Sequence, residues 1–352
     1  MGARSSRPPR WLAQGYNRDI GAPARALARP LGRRTMSLDM HVQPTTPAGR
    51  QAAGPEPDPA WRHWRTTPFQ LVLEGGAMRG MFTCGVVDFL LDHGLLAESV
   101  VGVSIGASCG FSYASGVAGQ TARMIVSYRD DWRFMSVRSK LRCGDYVGGE
   151  FIFDTIPYRL ERIPTWLYSQ SPMRLVSVAT DIETGKPDYH ELAKGRGHAT
   201  EARYLMASAA LPCANRPVDV DGKLLLDGGI ARPVPFAYGR ERYRGRQVVV
   251  LTRPRGYRPD PDDPAVPIVR MRYPAHPALG RAMAARSAEY ADELDQLERL
   301  HDAGELLCIW PEEPIAARMS ERDPERLLAA YEQGLRAASN VWPRLVAFLG
   351  VS

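Results

Sequence analysis

A G-x-S-x-G pattern, Gly102-Val103-Ser104-Ile105-Gly106, is the first feature of the sequence that could carry chemistry. Glycines two residues on either side of a serine let the chain turn sharply from a strand into a helix, which exposes the hydroxyl at the turn. The helix N-terminus also favours negative charge beside it. A structural Gly/Ser turn can show the same letters, but an apolar run before the pattern and a small-residue run after it favour a nucleophile at Ser104.

A glycine-rich loop, Gly75-Gly76-Ala77-Met78-Arg79-Gly80, follows an apolar run and opens a second helical pattern. Small residues in succession leave backbone N–H groups pointing outward, which is what a developing oxyanion requires. Arg79 would either fix this loop or meet an anionic head group. A nucleotide phosphate cradle is the competing interpretation, but the loop lacks the Gly-Lys-Ser/Thr of a P-loop, and Ala77 replaces the second glycine of the dinucleotide pattern.

Asp227-Gly228-Gly229 ends the run Leu224 to Leu226 and supplies a candidate acid. In isolation such a tripeptide is most often a turn. Its position gives it weight, because Asp227 and Ser104 are both predicted at the edge where open α/β sheets bind ligands. A serine hydroxyl is a weak nucleophile until a nearby acceptor takes its proton. An aspartate in a partly desolvated cleft can be that acceptor, since burial raises its basicity.

Histidine is the usual base in serine hydrolases, but the histidines of this sequence are badly placed for a triad. In the order Ser, Asp, His the histidine follows the acid, and only His276 and His301 follow Asp227. His276 lies in a proline-rich stretch and His301 at the end of a charged helical pattern, both typical of surface positions. His190 and His198 precede the acid in a predicted polar loop. We therefore expect a Ser–Asp pair.

The elements that must position these residues follow an α/β pattern. Short apolar runs alternate with helical ones, which predicts a mostly parallel sheet with helices on both faces. The predicted strands are Phe69–Glu74, Ser99–Val103, Met173–Ala179, Lys223–Leu226 and Gln247–Thr252, and the first two helices are Gly80–His93 and Ile105–Ser115.

Helices dominate the last hundred residues. A Pro/Asp-rich loop after Pro254 is followed by helical patterns at Ala278–His301 and Pro324–Ala338, with a short strand, Leu306–Trp310, between them. We expect an extension of the same domain, in preference to a separate helical lid. The predicted organisation is a disordered tail at 1–66, a catalytic domain at 67–250 and a mainly helical extension at 251–352 packed on that domain.

The net charge of +6 belongs to the front of the chain. Residues 1–66 hold eleven basic and four acidic residues, a net of +7, so residues 67–352 sum to −1. A folded part this close to neutrality argues against a nucleic-acid partner. Nine of the 29 prolines lie in residues 1–60, which predicts disorder. This leader would be a transit peptide or the product of an upstream start codon, with Met36 or Met40 as the true start.

The cysteine pattern and the hydropathy indicate in which cellular compartment the protein is expected. The five cysteines are odd in number and scattered, without a CxxC pair, which fits a reducing cytoplasm. The uncharged stretch Ser99–Gln120 is long enough to span a bilayer. It is rich in Gly, Ser and Ala, however, and its pattern changes at Ser104, so we do not expect a transmembrane helix.

The glycine loop, the serine turn and the Asp-Gly-Gly turn, in that order, resemble the motifs of a known family. Ala207-Ser208-Ala209-Ala210-Leu211-Pro212 before the acid and Pro233-Val234-Pro235 after it extend the match. From about Leu71 to Ala237 the sequence resembles a patatin-like phospholipase domain, a family of acyl hydrolases that use a Ser–Asp dyad without histidine. The C-terminal extension is similar to that of a bacterial branch of the family.

This resemblance implies roles for the motif residues. Ser104 would be the nucleophile and Asp227 its base, with Gly102 and Gly106 forming the serine turn and Gly228 and Gly229 the acid turn. The loop Gly75-Gly76-Ala77 would form the oxyanion hole through the amides of Gly76 and Ala77. The family usually has glycine where this chain has Ala77, whose methyl group could restrict the loop if φ is positive. No metal or other cofactor is implied.

The sequence thus predicts a lipid acyl hydrolase acting on phospholipids or neutral acylglycerols, cytoplasmic and in peripheral contact with a membrane. Two alternatives stay open: a lipid-binding protein that has lost turnover, and an acyl-CoA thioesterase or acyltransferase using the same serine. Aromatic clusters at Trp132, Phe134 and Met135 and at Phe151–Phe153 would be an acyl-chain pocket, a lipid-docking surface or ordinary core. The oligomeric state cannot be deduced from the sequence.

Overall fold

Short β-branched and leucine-rich runs form one mixed sheet in the computed structural model, which describes residues 64–161, 167–194, 198–243 and 245–351. Met36, Met40 and nearly all of the predicted tail lie outside these residues. The strands are β1 Thr67–Leu73, β2 Ala97–Val103, β3 Arg174–Asp181, β4 Pro187–Glu191, β5 Val218–Val220, β6 Lys223–Asp227, β7 Arg246–Val250 and β8 Leu307–Ile309.

Helices connect and cover the strands. The α-helices are α1 Gly80–Asp92, α2 Ile105–Ala114, α3 Gln120–Tyr128, α4 Val137–Cys143, α5 Leu167–Gln170, α6 His198–Ser208, α7 Phe236–Arg242, α8 Ala265–Arg272, α9 Pro277–Asp302 and α10 Pro324–Leu349. A π-helix spans Phe151–Leu160, and single 3-10 turns span Ala77–Arg79 and Gly228–Ile230.

The centre of the sheet is parallel, as the sequence predicts. In β3-β2-β1-β7-β8 every neighbouring pair is parallel, whereas β4 and β6 both pair with β3 in antiparallel fashion, and β5 pairs with β6. Two strands were not predicted from the sequence: β4 is rich in polar residues, and β5 has only three residues, so neither shows a buried-strand pattern.

Both faces of the central strands are covered. Val72 of β1 belongs to an apolar cluster with Leu294 and Leu297 of α9. The side chain of Leu73, its neighbour on the opposite face, lies close to Gly110 of α2. Because successive residues of a strand point to opposite faces, this central strand is buried from both sides. The predicted α/β layering is confirmed.

The last helix contacts the first one through two glycines. A Cβ atom on Gly85 of α1 would lie 2.1 Å from the Tyr331 carbonyl oxygen, and one on Gly334 of α10 would lie 2.0 Å from the Phe82 carbonyl oxygen. Only glycine permits so close an approach of two backbones. The predicted end of this helix at Ala338 was wrong, because α10 continues through Pro343 to Leu349 and buries Leu345.

The stretch Ser99–Gln120 does not form one helix. It contains most of β2, the whole of α2 and the first residue of α3. Among the described helices, none is both long enough and apolar enough to cross a lipid bilayer.

Candidate active site

Ser104 lies at a strained turn between the end of β2 and the start of α2. Its backbone angles, φ 56° and ψ −124°, are rare for a residue with a side chain. The two glycines of the motif are needed for close packing around it. A Cβ on Gly102 would lie 2.6 Å from the Ala107 nitrogen, and one on Gly106 would lie 2.5 Å from the Leu73 carbonyl oxygen. At this turn Ser104 is partly exposed, whereas Gly102 and Gly106 are buried.

Ser208, at the end of α6, holds this turn in place. The Ser104 N–H donates to the Ser208 hydroxyl oxygen at 2.7 Å, and that hydroxyl donates to the Val178 carbonyl oxygen of β3 at 2.6 Å. Ser208 is fully buried. The sequence analysis quoted Ser208 only as part of a matching motif. The signal available there was a small polar residue in an otherwise apolar A-S-A-A-L-P run.

The antiparallel strand β6 delivers Asp227 to the same point. Ala179 of β3 pairs both with Asp188 of β4 and with Asp227. Two partners of one residue must lie on opposite edges of its strand, so β6 lies on the edge of β3 that β2 also occupies. β2 ends where Val103 pairs with Val178. The two strands therefore meet end to end, with Ser104 and Asp227 at the junction.

The Asp227 carboxylate is buried but has hydrogen-bonding partners. The Gly229 N–H donates to its Oδ1 at 2.7 Å, and the Ser104 side chain lies near enough to lower the pKa of the carboxyl group. Burial raises the pKa of Asp227 to about 6, while Gly229, Ser104 and the charge of Arg286 oppose this rise. At neutral pH the group is mostly ionised and yet more basic than an exposed carboxylate. Gly228 is tightly packed, since a Cβ there would lie 2.3 Å from the Val178 carbonyl oxygen.

The glycine loop faces Ser104 with two unused amides. Within the described ranges, neither the Gly76 nor the Ala77 N–H donates to a protein acceptor. Ala77 has φ 47°, the left-handed conformation that the sequence analysis raised as a concern. An alanine at this position nevertheless keeps the backbone N–H that an oxyanion hole requires. Gly76 is needed for space, because a Cβ there would lie 2.7 Å from the Thr252 hydroxyl oxygen.

A buried carboxyl group supports the base of this loop. Glu74 Oε2 accepts hydrogen bonds from the Thr252 N–H and, at 3.0 Å, from the Thr252 hydroxyl, and Oε1 accepts from the Tyr290 hydroxyl. Burial raises the pKa of Glu74 despite these donors. The sequence analysis missed Glu74 because a glutamate at the end of a strand looks like an ordinary exposed residue.

Two arginines form a cationic wall of the cavity. The Arg79 Nε is buried, and no described residue accepts a hydrogen bond from it. Burial and the nearby Arg253 lower the pKa of Arg79. Arg253 stacks over Tyr257, 4.4 Å from the ring centre, and no carboxylate among the described residues lies within salt-bridge range of it. The two guanidinium groups therefore lie close together without a full complement of acids.

The predicted residues converge on one cavity. Its wall includes Gly75, Gly76, Ala77, Arg79, Ser104, Asp227 and Gly229, together with Arg253, Arg286 and Tyr290. Gly102, Gly106 and Gly228 are not part of this wall.

A second, mostly apolar cavity adjoins the first. The two cavities share four lining residues, Ser108, Met124, Ile152 and Phe153. The predicted aromatic clusters are thereby divided. Phe134 and Met135 line the first cavity, whereas Trp132 and Phe151 line neither and are covered by the guanidinium groups of Arg138 and Arg133.

None of the described histidine side chains lines the first cavity, the one that contains Ser104 and Asp227. The predicted polar loop around His190 was wrong, because this residue lies on β4, where its Nε2 is 3.1 Å from Glu201 Oε2. The predicted surface position of His301 was also wrong. It is buried, and its Nδ1 accepts from the Cys308 N–H at 2.9 Å. His276 lies 3.0 Å from Glu183. Residue 198 begins α6, and its side chain lies outside the described part of the chain.

Two family models match the chain. One, described as patatin-like phospholipase, matches residues 71–239, and the other, described as a domain of unknown function, matches residues 276–350. The first match contains the glycine loop, Ser104 and Asp227, and the second contains the whole of α9 and of α10. The motif residues thus fall within the first match, and Arg286 and Tyr290 fall within the second.

The chain is also similar to known proteins. An NTE family protein of Mycobacterium tuberculosis is 29% identical over 167 residues, which cover 47% of this chain and 44% of the relative. A lysophospholipase of Meyerozyma guilliermondii is 30% identical over 178 residues, 47% of this chain and 11% of that enzyme. The crystal structure of VipD from Legionella pneumophila aligns with 78% of this chain and 66% of that one, at 13% identity and a TM-score of 0.41. The chain spans less than half the length of these two sequence relatives.

Proposed function

Because residues 71–239 make the chain a member of the patatin-like phospholipase family, we propose that it is a serine acyl hydrolase that cleaves carboxylic esters of lipids. The observation that carries the proposal is the meeting of Ser104 with Asp227 at the junction of β2 and β6, inside a cavity lined by the glycine loop. The family and the lysophospholipase relative both support a lipid hydrolase.

The chemistry needs only groups of this chain and water. Asp227 accepts the proton of the Ser104 hydroxyl while the serine oxygen attacks the ester carbonyl carbon. The amides of Gly76 and Ala77 hydrogen-bond to the resulting oxyanion. As the tetrahedral intermediate collapses, the bond to the alcohol breaks and Asp227 returns the proton to the departing oxygen. Water then attacks the acyl-enzyme by the same steps, which releases the fatty acid and restores Ser104.

The environment of Asp227 suits this double role. A general base works best when its pKa lies near the working pH, and burial raises the pKa of Asp227 to about 6. The Gly229 N–H fixes the carboxylate through Oδ1, so Oδ2 is available to the serine. One aspartate thereby does the work that a histidine does in a triad.

The second cavity is the proposed site of the acyl chain. Its wall is mostly apolar, as expected of a site that binds a hydrocarbon chain. Ser108 lies one helical turn after Ser104 on α2, so the shared residues are adjacent to the reacting carbonyl group. The acyl chain of an ester bound at Ser104 would therefore extend past these shared residues into the second cavity.

The cationic wall favours a lipid with an anionic head group over a neutral acylglycerol. Arg79 and Arg253 have donors to spare, and guanidinium groups bind phosphate oxygens well. A phospholipid or lysophospholipid would place its phosphate against these side chains while its acyl chain fills the apolar cavity.

Contact with a membrane surface is proposed through α4. Val137 and Leu141, one helical turn apart, are 66% and 82% exposed, and Arg138 and Arg142 accompany them. The helix begins two residues after Met135, which lines the catalytic cavity. An apolar stripe with basic neighbours binds anionic bilayers. The variant Val137→Asp with Leu141→Asp should lose sedimentation with anionic vesicles and retain hydrolysis of a soluble ester, whereas unchanged sedimentation would contradict this contact.

Release of fatty acid from defined substrates tests the proposed function. The purified chain should release fatty acid from a lysophospholipid faster than from a monoacylglycerol of the same acyl chain. Ser104→Ala provides the background rate. No release above that background from any ester would contradict the proposal, and an equal rate on both substrates would contradict the head-group preference.

An acyl-CoA thioesterase or acyltransferase is the second candidate, because the cationic wall would also suit the phosphates of coenzyme A. Acyl-CoA and lysophospholipid offered together, with a second lipid as acceptor, distinguish these reactions by their products. Free fatty acid from the lipid supports hydrolysis. Acylated acceptor, or free coenzyme A as the dominant product, would favour the second candidate. A lipid-binding protein without turnover would yield none of these products.

A further inference from the structure

One face of α9 carries three polar side chains that contact the catalytic turns. Arg286, Tyr290 and Glu293 are spaced four and three residues apart, so they lie on the same side of the helix. Tyr290 and Glu293 are buried in the protein, and Arg286 is half-buried. Each of the three reaches a different segment of the site, and all three belong to the region matched by the domain of unknown function.

Tyr290 reaches the base of the glycine loop. Its hydroxyl donates to Glu74 Oε1, and its ring forms part of the cavity wall. Glu74 directly precedes Gly75 and is also bonded to Thr252, whose hydroxyl lies 3.1 Å from the Gly75 carbonyl oxygen. The carboxyl group thereby links the loop to β7 and to α9. Loss of the Tyr290 hydroxyl would leave one oxygen of a buried carboxyl group without this donor.

Arg286 reaches the turn that follows the acid. Its Nε donates to the Gly229 carbonyl oxygen at 2.7 Å, and its guanidinium group is also 3.4 Å from Asp263. Gly229 is the residue whose N–H binds the Asp227 carboxylate. The same residue, Gly229, therefore makes both the contact with α9 and the contact that orients the base.

Glu293 holds the segment after this turn. Its Oε1 accepts from Arg232 at 2.8 Å and its Oε2 from the Val234 N–H at 3.3 Å. Pro233, between these two residues, lines the catalytic cavity. Burial raises the pKa of Glu293 to about 7, against the effect of Arg232.

We propose that this face of α9 is a positioning element of the active site, which fixes the glycine loop and the Asp227 turn relative to each other. The two turns come from β1 and β6, which are not neighbours in the sheet, and α9 contacts both. Displacements of about 1 Å at a reacting group can lower a rate about 100-fold. The proposal rests on the proposed function and assigns to the C-terminal extension a part in catalysis.

Tyr290→Phe tests the proposal, with Tyr331→Phe as its matched control. Tyr331 is also a buried tyrosine on a C-terminal helix, and its hydroxyl donates to the buried Asp88 carboxyl group at 2.9 Å. Both changes remove a tyrosine hydroxyl that donates to a buried carboxyl group, and both keep the aromatic ring. Tyr290→Phe should lower kcat on a soluble ester by about 10- to 100-fold with KM within about twofold, whereas Tyr331→Phe should leave both constants unchanged.

Hydrogen exchange provides a readout that does not depend on turnover. The amides of residues 75–79 should exchange faster in Tyr290→Phe than in the unmodified chain, and Arg286→Ala should have the same effect on residues 228–234. Tyr331→Phe should alter neither segment. If Tyr290→Phe does not fold, Arg286→Ala provides the test on its own, because Arg286 is only half-buried. Equal exchange and equal kcat in all variants would overturn the proposal.

The same data separate this proposal from the proposed function. A chain without esterase activity whose loop exchange still responds to Tyr290→Phe would contradict the proposed hydrolase and support the positioning contacts. If the chain is active but neither Tyr290→Phe nor Arg286→Ala changes loop exchange or kcat, the positioning role is contradicted and the proposed hydrolase is not.

Discussion

Ser104 and Asp227 approach each other from opposite directions along one edge of β3. The strand before Ser104 is parallel to β3 and ends at the Val103–Val178 pair, while the strand carrying Asp227 is antiparallel to β3 and ends at the Asp227–Ala179 pair. Residues separated by more than a hundred positions in the sequence are thereby fixed by the backbone register of one strand. The sheet therefore sets the relative position of Ser104 and Asp227, and sites built on strands are more precise than sites built on loops.

The dyad predicts loss of activity without loss of fold. Ser104→Ala and Asp227→Asn should each lower kcat on a p-nitrophenyl ester by at least about 1,000-fold. The asparagine keeps an oxygen for the Gly229 N–H, so the melting temperature should change little. Activity and thermal unfolding are measured on the same preparations. Full activity in either variant would contradict the assigned roles.

The pH profile should show the ionisation of Asp227. Because the base must be deprotonated, kcat/KM should fall about tenfold per pH unit below a midpoint near pH 6. The charge of Arg286 lowers the pKa of Asp227, so Arg286→Gln should move this midpoint to higher pH, whereas Arg286→Lys should keep it. A profile that is flat down to pH 5 would show that Asp227 is not the base.

Ser208 should matter for both stability and rate. Ser208→Ala leaves the Ser104 N–H and the Val178 carbonyl oxygen without their partner, and each unpaired buried group costs about 1–3 kcal/mol. We expect a lower free energy of unfolding and a lower kcat at similar KM. Ser177→Ala is the control, because this buried serine of β3 donates only to the Tyr204 carbonyl oxygen, at 3.3 Å. Equal effects of the two changes on kcat would contradict the role of Ser208.

Ala77 is a strained residue that glycine should relieve. At φ 47° a side chain costs about 1–2 kcal/mol, and glycine offsets part of this by its greater freedom in the unfolded chain. Ala77→Gly should therefore raise the free energy of unfolding slightly and keep kcat at or above its original value. Ala77→Val should lower both. Denaturant unfolding and steady-state kinetics check this, and a large loss of activity in Ala77→Gly would refute it.

Arg253 should decide between charged and neutral lipids. Loss of a charge-assisted hydrogen bond costs about 1.5–3 kcal/mol, so Arg253→Ala should lower kcat/KM for a lysophospholipid by about tenfold or more. The rate on a monoacylglycerol should remain unchanged. Arg255→Ala is the control, because Arg255 is exposed and its guanidinium group is 2.5 Å from Asp302. A parallel loss on both substrates would exclude a head-group role for Arg253.

The local patterns of the sequence predict much of the site, because strained turns have strict requirements. The tight turns can be recognised in the sequence by their glycines, because a Cβ at Gly102, Gly106 or Gly228 would collide with backbone atoms. The position of Asp227 was expected at the carboxyl edge of a parallel strand, and β6 is instead antiparallel. Asp227 nevertheless reaches the edge of the sheet where Ser104 lies, because β6 is short and its last residue, Asp227, pairs with Ala179 of β3.

The supporting contacts could not be predicted, because they depend on tertiary packing. Glu74 and Glu293 are acidic residues, which are rarely buried unless they are paired, and only the packing of α9 across the sheet shows that both are buried. The helical spacing of Tyr290 with Leu294 and Leu297 predicts a buried ring but not the partner of its hydroxyl. The prediction that His301 lies at the surface was wrong for the same reason. Its hydrogen-bond partner, the Cys308 N–H, is on β8, whose pairing with β7 depends on the tertiary fold. Periodicity identifies the elements, whereas the pairing of their polar faces requires the fold.

Mass spectrometry of the chain after reaction with a fluorophosphonate tests the central claim most directly, because only an activated serine reacts at an appreciable rate. The account predicts one phosphonyl group, found by peptide mapping on Ser104, absent from Ser104→Ala and formed much more slowly in Asp227→Asn. An unmodified wild-type chain, or a label on a different serine, would contradict it.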